Sequence, residues 1–374
     1  MKIVLTHPFC WPFVRRGTER NIDNVGRYMA GRGHDCTLLS TRPSGDTTPV
    51  QRPFRQQLSV PGWMGALAHV RLRPEHVFGL TAYSALRQMD ADAIHSFHYV
   101  DSLAASRLRK QRRWRTVLQL NGIAIPGVSC RRFPPEAWLL RRAIDEADEF
   151  LVCSRFIAEI AARHFGRAPK ALMPPVELEA WPLGPGPADD RPVILAVGDF
   201  EVRRKGIRVL FEAFRRLHRE VPEAILRISG RFSSEVADAL SSDFPDSTRV
   251  AIEVLGLGAP EDLPQLYQQA SILALPAMWE PSGGVMFEAL ASGAPVVAAA
   301  HAGLPEFLTP EVSALFDPKT DGEETTNADG LLEALHLGLR MARSEGIRSR
   351  CRQHASKYST TAIGPQLEAL YAGN

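Results

Sequence analysis

Residues 278–295 read MWEPSGGVMFEALASGAP, with two carboxylates, Glu280 and Glu288, on either side of Gly283, Gly284 and an apolar run. The apolar stretch ILALP (272–276) reads as a strand ending just before them, and a helix is expected to start between Ser282 and Gly284. Glycine leaves backbone N–H groups open to close approach. A helix N-terminus adds unbonded N–H groups and the positive end of a dipole, which together favour phosphate. Eight residues of helix rise ~12 Å, comparable to the reach of a nucleotide sugar from hexose hydroxyls past the diphosphate to the ribose. One acid at each end with bare amides between would match such a ligand. The same spacing equally suits a loop acid at Glu280 and an acid at Glu288 that stabilises the helix dipole.

A second phosphate-compatible stretch is VGDFEVRRKGIRVLFEAF (197–214). An apolar strand runs to Gly198, a basic loop follows, and Gly206 opens an amphipathic helix. Lys205 beside that helix start adds a full positive charge, and Arg203 or Arg204 adds a bidentate donor. A solvated basic turn is the plain alternative. Of two histidines near another strand, AIHSF (93–97), His95 lies inside it and reads as a core residue. His98 follows its carboxyl end, where ligands of open parallel sheets bind. The Asp90-Ala-Asp92 triplet has a metal-like spacing but precedes the strand, so no metal is expected. RLRKQRRWR (107–115) carries six basic residues in nine. It reads as a solvated helix end, or as a weak peripheral contact with anionic membrane anchored by Trp114.

These groups need a scaffold, and the chain is long enough for two domains: 374 residues, 45% hydrophobic and 23% charged, with net charge +2. That charge points to no nucleic-acid partner. Five dispersed cysteines (Cys10, Cys36, Cys130, Cys153, Cys351) form no C-x-x-C pair, which fits reduced thiols and a cytoplasmic protein. No apolar run is long enough to span a bilayer, and MKIVLTHPF begins a strand rather than a leader peptide. Apolar runs predict strands at 2–6, 36–40, 93–97, 116–120 and 150–154, then at 193–198, 225–230, 252–256, 272–276 and 296–300. Helical patterns such as 18–33 and 207–220 alternate with them. Runs apolar on both faces suit parallel strands covered by helices, and so βαβ units. WPLGPGPADDRP (181–192), rich in Pro and Gly, is the expected linker. The expected architecture is α/β: an N-terminal Rossmann-like domain over 1–181, a second over 190–357, and a cleft between them. The apolar stripe of 358–374 predicts a final helix crossing back to the first domain.

In this setting the motifs resemble those of the retaining GT-B glycosyltransferases of family 4. GDFEVRRKG (198–206) is similar to the family's glycine-to-Lys-Gly stretch, and EPSGGVMFE (280–288) to its Glu-x7-Glu motif. EALASGAPVVAA and AGLPEFL continue the pattern, and the N-terminal half is similar at RRGTERNIDNVGRYMAGRGHDCTLLST, DAIHSFH and MPPVELEAW. The resemblance implies a nucleoside-diphosphate-sugar donor, UDP-linked or GDP-linked, a hydroxyl acceptor, no cofactor and no metal. It gives Glu280 the donor-sugar hydroxyls and Glu288 the ribose, and it gives the diphosphate to the amides of Gly283, Gly284 and Val285. Lys205 would neutralise the departing diphosphate, Gly17 would lie against it from the first domain, and His98 would touch donor or acceptor. Acceptor contacts are expected around 9–17, 45–75 and 122–135.

Four positions depart from the family pattern. Asp199 replaces an arginine, and Arg204 or Arg203 is the expected substitute. Arg16-Gly17 replaces a double glycine, Asn121 replaces a histidine, and MPPV lacks an Asn and a Gly. A GT-B nucleotide-sugar epimerase and a non-catalytic nucleotide-sugar-binding subunit remain as rival readings.

Overall fold

The computed structural model describes residues 1–41, 50–58, 74–122, 134–189, 191–232, 249–319 and 326–373. The chain divides into two compact units, Met1–Pro175 with Thr360–Asn374, and Val176–Ser359.

In the first unit, strands β1 (Lys2–Thr6), β2 (Asp35–Ser40), β3 (Arg55–Leu58), β4 (Ala93–Ser96), β5 (Arg115–Leu120), β6 (Glu149–Val152) and β7 (Lys170–Ala171) alternate with five helices. These are α1 (Gly17–Gly31), α2 (Pro74–Leu86), α3 (Tyr99–Arg112), α4 (Pro134–Glu146) and α5 (Arg155–Phe165). The sheet is parallel, in the order β3-β2-β1-β4-β5-β6-β7. Strand order reverses between β1 and β4, so the loops after those two strands diverge and leave a crevice at their carboxyl ends. β3 and β7 were not expected. β3 is RQQL at the sheet edge, where a polar four-residue strand carries no apolar signal.

The second unit contains β8 (Val193–Asp199), α6 (Ile207–Glu220), β9 (Ile225–Arg231), β10 (Ile252–Gly256), α7 (Leu263–Gln269), β11 (Ile272–Leu275) and α8 (Gly284–Ala291). β12 (Val296–Ala299), the single turn α9 (Leu304–Phe307), β13 (Ser313–Phe316), α10 (Ala328–Ala342) and α11 (Ile347–Ser356) follow among its described residues. Its sheet is also parallel, in the order β10-β9-β8-β11-β12-β13, and here the reversal lies between β8 and β11. Buried Ile194, Leu226, Ile228, Ile272 and Val297 from these strands pack with Leu210, Phe214 and Leu217 of α6 in one core.

The last helix, α12 (Thr360–Ala372), belongs to the first unit. Its Ile363, Leu367, Leu370 and Tyr371 join Ile22, Val25 and Met29 of α1 and the sheet strands in a shared core. The Tyr371 hydroxyl lies 2.7 Å from His95 Nδ1, which makes His95 the core histidine its place inside a strand implied.

Two expectations change. The Pro/Gly-rich stretch after Trp181 is not a boundary, because it is bound to the second unit. Trp181 is buried edge-to-face against Tyr267 at 5.4 Å. The Gly184 N–H donates to Ser292 O at 3.1 Å, and Arg348 Nε donates to Gly184 O at 2.6 Å. The division falls instead at Pro175/Val176. Trp114 is not an interfacial anchor either. It is 2% exposed, packs in the core formed by α2 and α3, and its indole N–H donates to Ala105 O at 3.1 Å. It lies in the two-residue turn between α3 and β5, just after Arg113 takes the left-handed conformation that ends the helix. No helix among the described residues is long and apolar enough to cross a membrane.

Candidate active site

In the second unit, the loop after β8 carries Lys205 and the loop after β11 carries Glu280. These are the two loops that flank the point of strand reversal. Lys205 Nζ and Glu280 Oε2 meet at 2.5 Å, with both side chains less than a fifth exposed. The loops are joined further by a bond from Met278 N–H to Arg204 O at 2.7 Å and by the Arg204 guanidinium on Trp279 O. Arg204 thus spends one donor on the loop that carries Glu280. Gly206 and Gly283 each take a left-handed conformation, φ 72° and 61°, immediately before α6 and α8. Side chains rarely adopt this conformation, and it turns each loop sharply into its helix.

α8 begins at Gly284, so only Gly284–Glu288 of the Glu280–Glu288 spacing is helical and the ~12 Å helical span does not apply. Gly284 and Val285 are its first two residues, and their N–H groups have no acceptor within the helix. Gly284 is exposed and Val285 half-buried, which leaves that end of the helix accessible. The Glu280 loop is held from behind as well: Gly303 N–H donates to Glu280 O at 3.1 Å. A β-carbon on Gly303 would stand 2.0 Å from Pro281 O.

Glu288 is 7% exposed and accepts the Tyr267 hydroxyl at 2.8 Å. A buried carboxylate without a hydrogen-bond donor would be costly, and the Tyr267 hydroxyl supplies one. Tyr267 was missed in the sequence. Its only signal was a large aromatic in the short polar helix LPQLYQQ, and a hydroxyl's partner twenty-one residues away leaves no trace in local pattern. Asp199 ends β8 half-buried, paired in register with Arg231, and its Oδ1 has no hydrogen-bond partner among the described residues.

The first unit repeats the arrangement. Gly17 opens α1 at the end of the loop after β1, and His98, two residues past the end of β4, is the residue before α3. Both therefore stand on the loops that flank this sheet's reversal point. Beneath them Thr6 Oγ1 lies 2.5 Å from Asp101 Oδ2 and 2.8 Å from Ser96 Oγ, all fully buried. Burial pushes the Asp101 carboxyl up to about 8, and it pulls the His7 imidazole down to about 4. Asn121 accepts from Gln119 at 3.0 Å and reaches Thr18 Oγ1 at 3.5 Å, next to Gly17. Asp90 and Asp92, the metal-like pair, instead bind Lys2, through its ammonium at 2.5 Å and its backbone N–H at 2.7 Å. Cys130 and much of the expected acceptor-side stretches 45–75 and 122–135 lie outside the described residues.

Two family models match, one to each half. Residues 15–176 match the glycosyltransferase family 4 model, and residues 191–336 match the model for glycosyl transferases group 1. The chain belongs to the group 1 glycosyltransferases.

This glycosyltransferase is 30% identical over 198 residues to mannosylfructose-phosphate synthase of Agrobacterium fabrum, a match covering 48% of this chain and 40% of the relative. A longer match, 24% over 392 residues, covers 95% of the chain and 89% of D-inositol 3-phosphate glycosyltransferase of Corynebacterium diphtheriae. Among solved structures, Anabaena HepE in complex with UDP and glucose has a TM-score of 0.72 at 18% identity, with 100% of each chain covered. The shared fold is GT-B, two Rossmann-like α/β domains.

Proposed function

We propose that this glycosyltransferase moves a sugar from a nucleoside-diphosphate-sugar donor to an acceptor hydroxyl with retention of anomeric configuration. The observation that carries the reading is the Lys205–Glu280 pair, set on the two loops at the sheet's reversal point and beside the open N-terminus of α8. The Lys205 ammonium takes up the negative charge that grows on the diphosphate as the bond to the sugar's anomeric carbon breaks. Glu280 accepts hydrogen bonds from donor-sugar hydroxyls, and Glu288, steadied by Tyr267, accepts them from the ribose. The amides of Gly283, Gly284 and Val285 hold the diphosphate, and Arg204 contributes positive charge from the adjoining turn. Gly17 and His98 hold the corresponding places on the loops at the first unit's own reversal point.

The acceptor oxygen bonds to the anomeric carbon on the face the diphosphate leaves, and its proton passes to an oxygen of the leaving phosphate. No protein nucleophile is then required. UDP-sugars are the favoured donors, GDP-sugars the second choice. Support comes from the HepE structures, which hold UDP or UDP-glucose on the same fold.

The reading is tested by incubating the enzyme with a panel of nucleotide sugars, with and without hydroxyl acceptors, and following the anomeric signals by NMR. Product with the donor's anomeric configuration, lost in Glu280→Ala while the melting curve is kept, is the expected result. Donor interconversion without acceptor would mark an epimerase instead. Donor binding with no turnover against any acceptor, water included, would mark a binding subunit.

A further inference from the structure

Asp199 has no role in the site above. It ends β8, the strand that leads into the Lys205 loop, and its buried Oδ1 has no hydrogen-bond partner among the described residues. A buried carboxylate oxygen without a donor is costly. Beside a diphosphate the same charge would also repel the ligand. Both costs fall when a cation stands next to it.

The neighbouring strand supplies one. β8 and β9 run parallel with Gly198 opposite Gly230 and Asp199 opposite Arg231, and the Phe200 N–H donates to Arg231 O at 3.0 Å. At the glycine pair the backbones come so close that a β-carbon on Gly230 would stand 1.7 Å from Gly198 O. The register therefore holds to the carboxyl edge of the sheet, where neighbouring strands lie ~4.8 Å apart.

The residues on either side fix where the two side chains point. Phe200 and Phe232, next in each strand's path, bring their rings within 5.3 Å of each other against the core that contains α6. Successive side chains of a strand alternate between faces, so Asp199 and Arg231 lie on the other face. That face carries α7: Arg227, four residues before Arg231, donates to Gln269 Oε1 at the end of α7 at 3.2 Å. It also carries α8, which packs against α7 and starts from the same carboxyl edge. Arg231 is exposed, and among the described residues its guanidinium has no hydrogen-bond or ion-pair partner. Arg204, by contrast, is held on Trp279 O.

We propose that Arg231 is a further donor-binding residue, whose guanidinium bonds a phosphate oxygen of the nucleoside diphosphate while Asp199 orients it from the adjoining strand. The assignment rests on the diphosphate site proposed above. A guanidinium carries five N–H donors in a fixed fork, enough to bond a carboxylate along one edge and a phosphate along the other. Standing between the two anions, it turns Asp199 from a repulsive charge into a support. Asp199 alone would oppose the ligand, and Arg231 alone would have nothing to set its direction.

The test is titration calorimetry of UDP, GDP and ADP into the full chain and its variants. Arg231→Ala should weaken binding of the preferred diphosphate by about tenfold or more, and Arg231→Lys by less, since the charge is kept and only the fork is lost. Adding Asp199→Asn to Arg231→Ala should restore at least ~threefold of that affinity, because the second change removes the charge that the first uncovers. An unchanged dissociation constant in Arg231→Ala, beside a weakened one in Lys205→Ala, overturns the proposal and leaves the diphosphate site standing. A loss in Arg231→Ala that Asp199→Asn does not relieve overturns the pairing of the two residues. Failure of the wild type to bind any of the three diphosphates overturns both the proposal and the site on which it rests.

Discussion

Lys205 and Glu280 face each other at 2.5 Å, so their replacements should act on nucleotide binding with opposite signs. In Glu280→Gln, the ammonium loses its internal competitor for a phosphate oxygen. Nucleoside diphosphate should bind at least as tightly as to wild type, while sugar transfer is lost; calorimetry beside a turnover assay reads both. Tyr267→Phe removes the hydroxyl that Glu288 accepts at 2.8 Å. A hydrogen bond to a charged group is worth ~1.5–3 kcal/mol, so denaturant unfolding should show a loss of that order, and the donor KM should rise more than kcat falls. Glu280 and Lys205 were legible because each stands close to a glycine that marks a turn from strand into helix, Gly283 and Gly206. Tyr267 and the engagement of Arg204 with Trp279 were not, because each depends on which distant backbone or side chain the fold brings near. Asp199 remains the departure with a structural signature of its own, an oxygen buried at the end of β8 without a partner among the described residues.

At the scale of elements, the site depends on loops whose backbones are held from behind. Gly303 has φ −80°, which any residue adopts, so its need for glycine is purely steric: a β-carbon would stand 2.0 Å from Pro281 O. Gly303→Ala must push the Glu280 loop. A displacement near 1 Å at a reacting group can cost ~10²-fold, so kcat/KM should fall by at least ~tenfold in steady-state kinetics while the chain stays folded. Ten strands, all but β10 inside their sheets, were readable as apolar runs, since helices cover both faces of a parallel sheet. The edge strands β3 and β7 were not, being polar or only two residues long, and SALF of β13, also at an edge, has only two large apolar residues, Leu315 and Phe316.

At the scale of the whole molecule, the chain leaves the second unit at Ser359 and completes the first with α12. Ile363, Leu367, Leu370 and Tyr371 are all buried there. Each such side chain contributes ~1.5–3 kcal/mol on burial, so a chain ending at Ser359 should lose the first unit's protease resistance while the second unit's fragments persist. Limited proteolysis followed by mass spectrometry distinguishes the two. The final apolar stripe predicted this helix. The place of division was misread, because proline and glycine mark irregular backbone whether or not it is packed, and here Arg348 and Tyr267 pack it.

Burial also sets a pH response in the first unit. Asp101 is raised from 3.8 to about 8, so folding favours its protonated form and its contribution is lost as pH rises through that window. His7 and His95 are lowered from 6.5 to about 4 and about 3, so theirs is lost as pH falls below 6.5. The two trends oppose each other on the acid side, and Asp101 acts alone between 6.5 and about 8. Asp101→Asn should therefore flatten the stability loss above 6.5 and steepen the one below it, as read by denaturant unfolding across pH.

The central claim is that the loops bearing Lys205 and Glu280 form a nucleoside-diphosphate site. Titration calorimetry of UDP, GDP and ADP into the wild type and Lys205→Ala addresses it most directly. Saturable binding of one diphosphate, weakened ~10- to 100-fold in Lys205→Ala, is the predicted result, since a charge-assisted bond of ~1.5–3 kcal/mol is removed. No binding of any of the three, or an unchanged dissociation constant in Lys205→Ala, would contradict it.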